Sequence, residues 1–286
     1  MVTVKGYGKI NLTLDILGKR EDGYHEVEMV MQSIELHDTV ELEKIGEGIR
    51  LDVNVPGLEA DERNLAWRAA QIMQREYPLA GGVHIRLTKR IPMAAGLAGG
   101  SADAAAVLKG MNRLYELGAS EEDLCRLGAE LGSDIPFCIL GGTMLSTGRG
   151  EVLERLRDFP DMAVVLVKPK VSVSTAWAYR NYDEKGAERH PDNRAVRRAI
   201  EAGDGKAVAK WLCNVLERVT IKEYPVIAQY KEMLLEQGAL ASLMSGSGPT
   251  VFAFVESEKE ARRIASFMDR SVDAEVYLTR IVAPQE

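Results

Sequence analysis

A stretch rich in glycine and alanine reads Lys89-Arg90-Ile91-Pro92-Met93-Ala94-Ala95-Gly96-Leu97-Ala98-Gly99-Gly100-Ser101-Ala102-Asp103. It follows a predicted strand over 83–87 and precedes a predicted helix that begins at Ser101. Because glycine has no Cβ, such a loop turns tightly and its N–H groups approach an anion closely. The helix start adds unpaired N–H groups and about half a positive charge. A di- or triphosphate is the expected ligand, and a flexible linker is the alternative.

Two familiar phosphate-binding motifs are absent from the sequence. No Gly-x4-Gly-Lys-Ser/Thr occurs, which excludes a Walker A loop. No Gly-x-Gly-x-x-Gly occurs either. Where that motif requires its third glycine, Gly6-Tyr7-Gly8 has Asn11 and Gly246-Ser247-Gly248 has Val251. The loop therefore indicates another class of nucleotide-binding protein.

Two more glycine-rich turns are present, Gly132-Ser133-Asp134-Ile135-Pro136-Phe137 and Met244-Ser245-Gly246-Ser247-Gly248-Pro249-Thr250. In the first, Asp134 is predicted at the end of a helix, where the helix dipole disfavours a carboxylate. That makes Asp134 a candidate functional residue, and a turn-forming aspartate is the alternative. The second turn precedes a predicted buried strand, and by itself it is typical of a tight strand connection.

Composition and charge exclude several classes of protein. The 286 residues carry a net charge of −7, which argues against a general nucleic-acid binder. No run of about 18 apolar residues occurs, so no membrane span is expected. The N-terminus lacks the apolar segment of a signal peptide, and the three cysteines form no Cys-x-x-Cys pair. We expect a cytoplasmic protein with reduced thiols, no zinc site, no nucleic-acid partner and no membrane partner.

The periodicity of apolar residues predicts a mixture of strands and helices. Strands are predicted over 27–32, 49–55, 83–87, 163–167 and 251–255, and helices over 65–73, 101–115, 120–131 and 257–268. Ser120-Glu121-Glu122-Asp123 has the spacing of a capping box. The polar segment 181–193 is predicted to be a surface excursion. Without strict βαβ alternation the pattern favours an α+β protein, with domains over 1–159 and 160–286.

Six short motifs, spread from residue 9 to residue 250, belong together. They are Lys9-Ile10-Asn11-Leu12, Asp22-Gly23-Tyr24-His25, Lys89-Arg90-Ile91-Pro92-Met93, Gly132-Ser133-Asp134-Ile135-Pro136, Val171-Ser172-Val173-Ser174-Thr175 and Ser245-Gly246-Ser247-Gly248-Pro249-Thr250. In combination they resemble the GHMP kinase superfamily, and within it the family of 4-diphosphocytidyl-2-C-methyl-D-erythritol kinases. The resemblance implies an N-terminal ATP-binding domain like ribosomal protein S5 domain 2, a C-terminal ferredoxin-like domain, and an active site in the cleft between them.

The implied reaction moves the γ-phosphoryl group of ATP to the 2-hydroxyl of 4-diphosphocytidyl-2-C-methyl-D-erythritol, in the non-mevalonate (MEP) route to isoprenoids. The implied cofactors are ATP and Mg²⁺, and the expected state is a monomer or homodimer. One alternative is a superfamily kinase for homoserine or a mevalonate derivative; Tyr24-His25 disfavours it, because those substrates offer no base to stack. Another is a noncatalytic RNA-binding module on the S5-like fold, which the acidic balance disfavours.

The resemblance also implies roles for individual residues. Asp134 matches the catalytic aspartate that accepts the hydroxyl proton, and Lys9 the lysine that orients it and offsets phosphoryl charge. Without the resemblance, Lys9 would be interpreted as an exposed strand lysine. Asn11 is expected to contact the substrate diol, a solvent-facing position being the alternative.

Base recognition is assigned to aromatic and imidazole side chains. Tyr24 and His25 match the cytosine contacts, and aromatic stacking on a base contributes about 1–3 kcal/mol. Tyr179 lies four residues after Thr175 on the same predicted helical face, and both are expected at the substrate. A core aromatic is the alternative for Tyr179.

The resemblance assigns the nucleotide to the loop over residues 92–102 and to two further positions. Asn64 and Lys89 resemble positions near the adenine, and Ser101 is the expected hydroxyl for phosphate or Mg²⁺. The loop residues expected at the nucleotide are Pro92, Met93, Ala94, Ala95, Gly96, Leu97, Ala98, Gly99, Gly100, Ser101 and Ala102. Ala94, Ala95 and Ala98 stand where the family often has glycine, and Ala102 where a second serine is common; the backbone N–H donors survive these changes.

Overall fold

A computed structural model describes residues 1–284, except for the side chains of residues 184 and 185. Within this part, the strands are β1 (Val2–Lys19), β2 (His25–Ile45), β3 (Ile49–Val53), β4 (Gly82–Thr88), β5 (Thr143–Thr147), β6 (Val152–Arg155), β7 (Ala163–Pro169), β8 (Cys213–Asn214), β9 (Ala241–Met244), β10 (Val251–Val255) and β11 (Ala274–Arg280). The helices are α1 (Leu65–Glu76), α2 (Gly99–Tyr115), α3 (Glu121–Leu131), α4 (Ile135–Leu140), α5 (Thr175–Lys185), α6 (Asn193–Glu201), α7 (Gly205–Lys210), α8 (Glu217–Glu223), α9 (Val226–Glu236) and α10 (Glu258–Ser271). The mixture confirms the α+β prediction.

The chain forms two compact units that are interleaved in sequence. The first unit contains residues 1–8, 36–93 and 98–141, and the second contains residues 9–35, 94–97 and the chain from Gly142 onward. The long strands β1 and β2 therefore contribute residues to both units. The domain boundary predicted between residues 159 and 160 stays a prediction.

The first unit packs helices on a small sheet. Strand β4 pairs in parallel with β3 and antiparallel with the C-terminal part of β2, where Leu42 lies opposite Ile85. Helices α1, α2 and α3 contact one another, and their apolar faces form one buried cluster with the sheet, which includes Met73, Val107 and Leu127. The predicted capping box begins α3: the Ser120 side chain accepts from the N–H of Asp123, whose carboxylate accepts from the N–H of Ser120.

The second unit contains a four-stranded antiparallel sheet in the order β11-β7-β10-β9. All five residues of β10 are buried, as its continuous apolar sequence predicts, and Phe252 lies opposite Leu166 of β7. Helices α9 and α10 contact this sheet. Elsewhere in the unit β5 pairs with β2 and with β6, and β8 pairs with β1.

Two predictions about local structure were wrong. Helix α2 begins at Gly99 and not at Ser101, because Ala98 takes a left-handed conformation that ends the loop earlier. The segment 181–193 is not a surface excursion throughout: its first residues complete α5, and Tyr182 and Asn193 are buried. Asn193 is held there by hydrogen bonds with Thr13 and Glu28, two partners distant in sequence. Within residues 1–284, no helix has the length and apolar character required to cross a bilayer.

Candidate functional site

The loop over residues 92–102 changes backbone direction through three left-handed residues. Ala94, Gly96 and Ala98 have φ values of 49°, 73° and 58°. A left-handed conformation costs alanine about 1–2 kcal/mol, so two of these positions are strained. Gly99, Gly100 and Ser101 then form the first turn of the 17-residue helix α2, which contains no acidic side chain there. This turn has the N–H donors and the positive dipole end that an anion requires.

The C-terminal glycine-rich turn supports part of this loop inside the second unit. The hydroxyl of Ser245 donates to the carbonyl of Gly96 at 3.0 Å. A Cβ added to Gly96 would lie 2.3 Å from the Ser245 carbonyl oxygen and 3.1 Å from that of Gly248. The Leu97 carbonyl accepts from the N–H of Lys9 at 3.1 Å. The turn over 244–250 therefore buttresses the loop as well as connecting β9 to β10.

Lys9 and Asn11 are adjacent buried side chains on one face of β1. Lys9 is 5% exposed and Asn11 is fully buried, which excludes both solvent-facing alternatives. The Lys9 ammonium donates to the Asn11 side-chain oxygen at 2.7 Å, as the two-residue period of a strand permits. Both residues belong to the second unit.

Asp134 lies at the N-terminal end of α4, in the first unit. The helix dipole there favours a carboxylate, so the predicted local cost at this position was wrong. Pro136 occupies the first turn of α4, where proline is tolerated, and does not simply stop α3. The Asp134 side chain makes no capping hydrogen bond and is partly exposed, so the carboxylate is not used to start its own helix.

The residues assigned to the base form two side-chain pairs in the second unit. The His25 and Tyr179 rings lie 4.9 Å apart between centroids. The Arg149 guanidinium lies 5.0 Å from the ring centroid of Tyr24, which is 55% exposed. His25 Nε2 lies 2.6 Å from Oδ1 of Asp183, and this contact lowers the pKa of that carboxyl. Because an ionised carboxylate only accepts, Nε2 donates.

Thr175 is an exposed residue at the start of α5. Its hydroxyl lies 3.1 Å from that of Ser247, in the same unit. Thr175, Tyr179 and Asp183 follow one another at intervals of four residues, so they share a face of α5.

Asn64 is the N-cap of α1. Its side-chain oxygen accepts from the N–H of Ala66 at 2.9 Å, and its amide donates to the Glu59 carbonyl at 2.7 Å. An asparagine directly before an apolar helix is a known start signal, so this structural role was readable from the sequence. Its expected place near an adenine stays a prediction.

The Lys89 side chain is buried in the first unit between two carboxylates. Its ammonium bonds to Asp38 and, at 2.6 Å, to Asp103; each of the three side chains is at most 5% exposed. Burial raises the pKa of the Asp103 carboxyl, Asp38 adds to the rise, and the ammonium opposes it. Oδ1 of Asp103 is buried without a hydrogen-bond partner among the described residues.

Protein ligands for a metal are sparse in the described chain. Within residues 1–284, no group of three or more His, Cys, Asp or Glu side chains could hold an ion. Mg²⁺ commonly takes one or two protein oxygens and completes its shell with phosphates and water. The Ser101 hydroxyl, in the first turn of α2, fits such a site as a single ligand.

Comparison with known proteins identifies the family. A model described as GHMP kinases N terminal domain matches residues 64–142, and one described as GHMP kinases C terminal matches residues 196–274. The chain belongs to the GHMP kinase family. The matches confirm the expected two-domain α+β class.

Two sequence relatives of this GHMP kinase and one solved structure are named for the same substrate. A 4-diphosphocytidyl-2-C-methyl-D-erythritol kinase of Acetivibrio thermocellus is 51% identical over 260 residues, 91% of this chain and 92% of the relative. That of Pelotomaculum thermopropionicum is 48% identical over 286 residues, 100% and 99% of the two chains. A crystal structure of a 4-(cytidine 5'-diphospho)-2C-methyl-D-erythritol kinase has 30% identity and a TM-score of 0.85, covering 98% of this chain and 99% of that one.

Sequence reasoning missed four charged residues around these sites of the GHMP kinase. The sequence could have indicated Asp183, because it follows Tyr179 by about one helical turn and so shares its helix face. Asp103 comes directly after the loop over residues 92–102, but no pattern in the neighbouring sequence indicates that it pairs with Lys89. Asp38 and Arg149 reach their partners only through the tertiary fold.

Proposed function

We propose that this GHMP kinase transfers the γ-phosphoryl group of ATP to the tertiary 2-hydroxyl of 4-diphosphocytidyl-2-C-methyl-D-erythritol, giving the 2-phosphate and ADP. This reaction belongs to the non-mevalonate route to isoprenoids. The observation that carries the proposal is near-full-length similarity to kinases named for this substrate. The arrangement of the side chains described above supports it.

The loop from Pro92 to Ala102 is the proposed site for the ATP phosphates. The first turn of α2 supplies N–H donors and a dipole that favours negative charge, and the left-handed residues give the loop its shape. Asn64 and Lys89 are assigned to the nucleotide site. Mg²⁺ is proposed as a second cofactor held by the Ser101 hydroxyl, and when bound it would neutralise charge on the phosphates.

Asp134 and Lys9 are the proposed catalytic residues. A tertiary alcohol is crowded and protonated at neutral pH, so a carboxylate within hydrogen-bond reach can accept its proton as the phosphoryl group is transferred. Asp134 lies at the N-terminal end of α4 and is partly exposed, and it matches the catalytic aspartate of the family. The buried ammonium of Lys9 is proposed to orient the aspartate and offset the charge of the transferring group, with Asn11 holding that ammonium in place and contacting the diol. The family resemblance supports this assignment of roles to the two residues.

Tyr24, His25 and Tyr179 are the proposed cytosine site, and Thr175, on the same face of α5 as Tyr179, is proposed to contact the substrate. Because Nε2 of His25 donates to Asp183, the neutral ring has an acceptor at Nδ1. The 4-amino group of cytosine is a donor, whereas the oxygen at the same position of uracil is not. The imidazole is therefore suited to select cytosine, and the tyrosine rings offer stacking surfaces.

The alternatives receive less support. A homoserine or mevalonate substrate has no base for this site, and the relatives that are 51% and 48% identical in sequence carry neither name. We further propose a cytoplasmic enzyme that acts as a monomer or homodimer on a small molecule, with no nucleic-acid or membrane partner. The net charge of −7 supports the absence of an RNA partner.

The test is a coupled ADP-release assay of the purified chain with ATP and Mg²⁺, run separately with the cytidyl alcohol, homoserine and mevalonate. Turnover only with the cytidyl alcohol is the expected result. Faster turnover with either small alcohol would replace the proposal with the superfamily alternative. Filter binding of RNA at moderate salt, run in parallel, tests the noncatalytic alternative, for which we expect no retention.

A further inference from the structure

The buried cluster of Asp38, Lys89 and Asp103 is not explained by a lysine that contacts the adenine base. Two of the three ammonium donors of Lys89 are taken by Asp38 and Asp103, and the side chain is 5% exposed. An ammonium held in this way has little freedom to reach a ligand. Its surroundings instead connect it to the phosphate loop.

The cluster joins three segments of the first unit. Asp38 comes from β2, and its second oxygen accepts from the backbone N–H of Ile91 at 2.8 Å and from that of Arg90, at the start of the loop. Asp103 comes from the early part of α2, just after the turn proposed to bind phosphate. The lysine therefore links the strand, the first residues of the loop and the helix.

The ammonium lies directly beneath the first turn of α2. A Cβ added to Gly99 would be 3.3 Å from Lys89 Nζ and 3.1 Å from the Ile91 side chain. The charged groups that act on the Asp103 carboxyl are Lys89 and Asp38. In a buried, weakly polar setting such contacts are strong, and they restrict the groups that make them.

We propose that Lys89 is a positioning residue: its ammonium, held by Asp38 and Asp103, fixes the first turn of α2 in the geometry that binds nucleotide phosphates, and it does not read the base. The inference rests on the proposed function, since it assigns the nucleotide phosphates to that turn. Binding measurements can separate this positioning role from direct contact with the adenine base. Loss of the ammonium weakens every ligand with the same phosphate tail equally, whatever its base.

The experiment measures binding by calorimetry with three probes: ATP, GTP and inorganic triphosphate, each with Mg²⁺. The principal variant is Lys89→Met combined with Asp38→Asn and Asp103→Asn, which leaves no unpaired buried charge. We expect the Kd of all three probes to rise by about tenfold, with the ATP-to-GTP ratio of the wild type retained. Lys168→Met, which removes another buried lysine paired with Glu275, is the matched control and should leave all three values within about twofold.

A second variant tests the contact with every charge in place. Gly99→Ala presses a methyl group against the ammonium and should weaken the three probes by one common factor. A selective loss of ATP binding in either variant, no loss in both, or an equal loss in Lys168→Met would overturn the inference. Wild-type turnover of the cytidyl alcohol, measured on the same preparation, reports separately on the proposed function.

Discussion

Gly96→Ala is the substitution with the most direct consequence for the phosphate loop. Gly96 has φ +73°, and its added methyl group would lie 2.3 Å from the carbonyl oxygen of Ser245. Ordinary contact begins near 3.4 Å, so the separation has to grow by about 1.1 Å. The obstacle is backbone, which cannot swing aside as a flexible side chain would.

Three contributions determine how much Gly96→Ala lowers the free energy of unfolding. The left-handed conformation costs alanine about 1–2 kcal/mol, overpacking costs about 1–3 kcal/mol, and the hydrogen bond from Ser245 to Gly96 contributes about 1 kcal/mol. Because the costs are relieved together when the loop shifts, we expect the free energy of unfolding to fall by about 2–4 kcal/mol. A loop displaced by about 1 Å should lower kcat/KM about 100-fold.

Both effects are measurable on one preparation. Urea denaturation gives the free energy of unfolding, and steady-state kinetics with ATP and the cytidyl alcohol gives kcat/KM. Gly18→Ala is the matched control, because a Cβ there meets nothing within 4 Å, and it should change stability by less than about 0.5 kcal/mol. If Gly96→Ala matched this control in both measurements, the supporting role of the turn over 244–250 would be refuted.

Three further substitutions test other parts of the account. Asp134→Asn should lower kcat by about 10²–10⁴-fold with KM values unchanged, because it removes the proton acceptor; near-normal turnover would take Asp134 out of the chemistry. Asp183→Ala should raise KM for the cytidyl alcohol about tenfold but not KM for ATP, since it releases His25; equal changes for both substrates would contradict the cytosine assignment. Asn64→Ala should lower the free energy of unfolding by about 1 kcal/mol through loss of the α1 cap; unchanged stability by urea denaturation would show that the cap is dispensable.

Local patterns predicted the α+β class and nine of the 21 strands and helices in the described residues. The buried strands β7 and β10 and the helices α1, α3 and α10 follow from apolar periodicity and start signals such as Ser120 and Ser257. Helix α2 begins two residues before the predicted start at Ser101 because Ala98 adopts a left-handed conformation, which an alanine-rich sequence does not suggest. Asn193 was placed at the surface because its partners Thr13 and Glu28 are remote in sequence.

Residue types and motif spacing predicted the candidates for the site, but not their environments. The local pattern alone predicts an exposed Lys9, whereas the burial of Lys9 depends on the folding of a long strand. Asp134 was interpreted against the helix before it, whereas its position depends on the short helix after it. Lys89 was assigned to the nucleotide, and its partner Asp38 is 51 residues away, so no local pattern indicates their ion pair.

The most direct test of the central claim is the position of the transferred phosphate. Purified protein is incubated with ATP, Mg²⁺ and 4-diphosphocytidyl-2-C-methyl-D-erythritol, and the products are followed by phosphorus and carbon NMR. The account predicts one new phosphomonoester on the tertiary carbon, formed in equal amount to ADP. A phosphate on a primary or secondary hydroxyl, or ADP released without any phosphorylated cytidyl product, would contradict it.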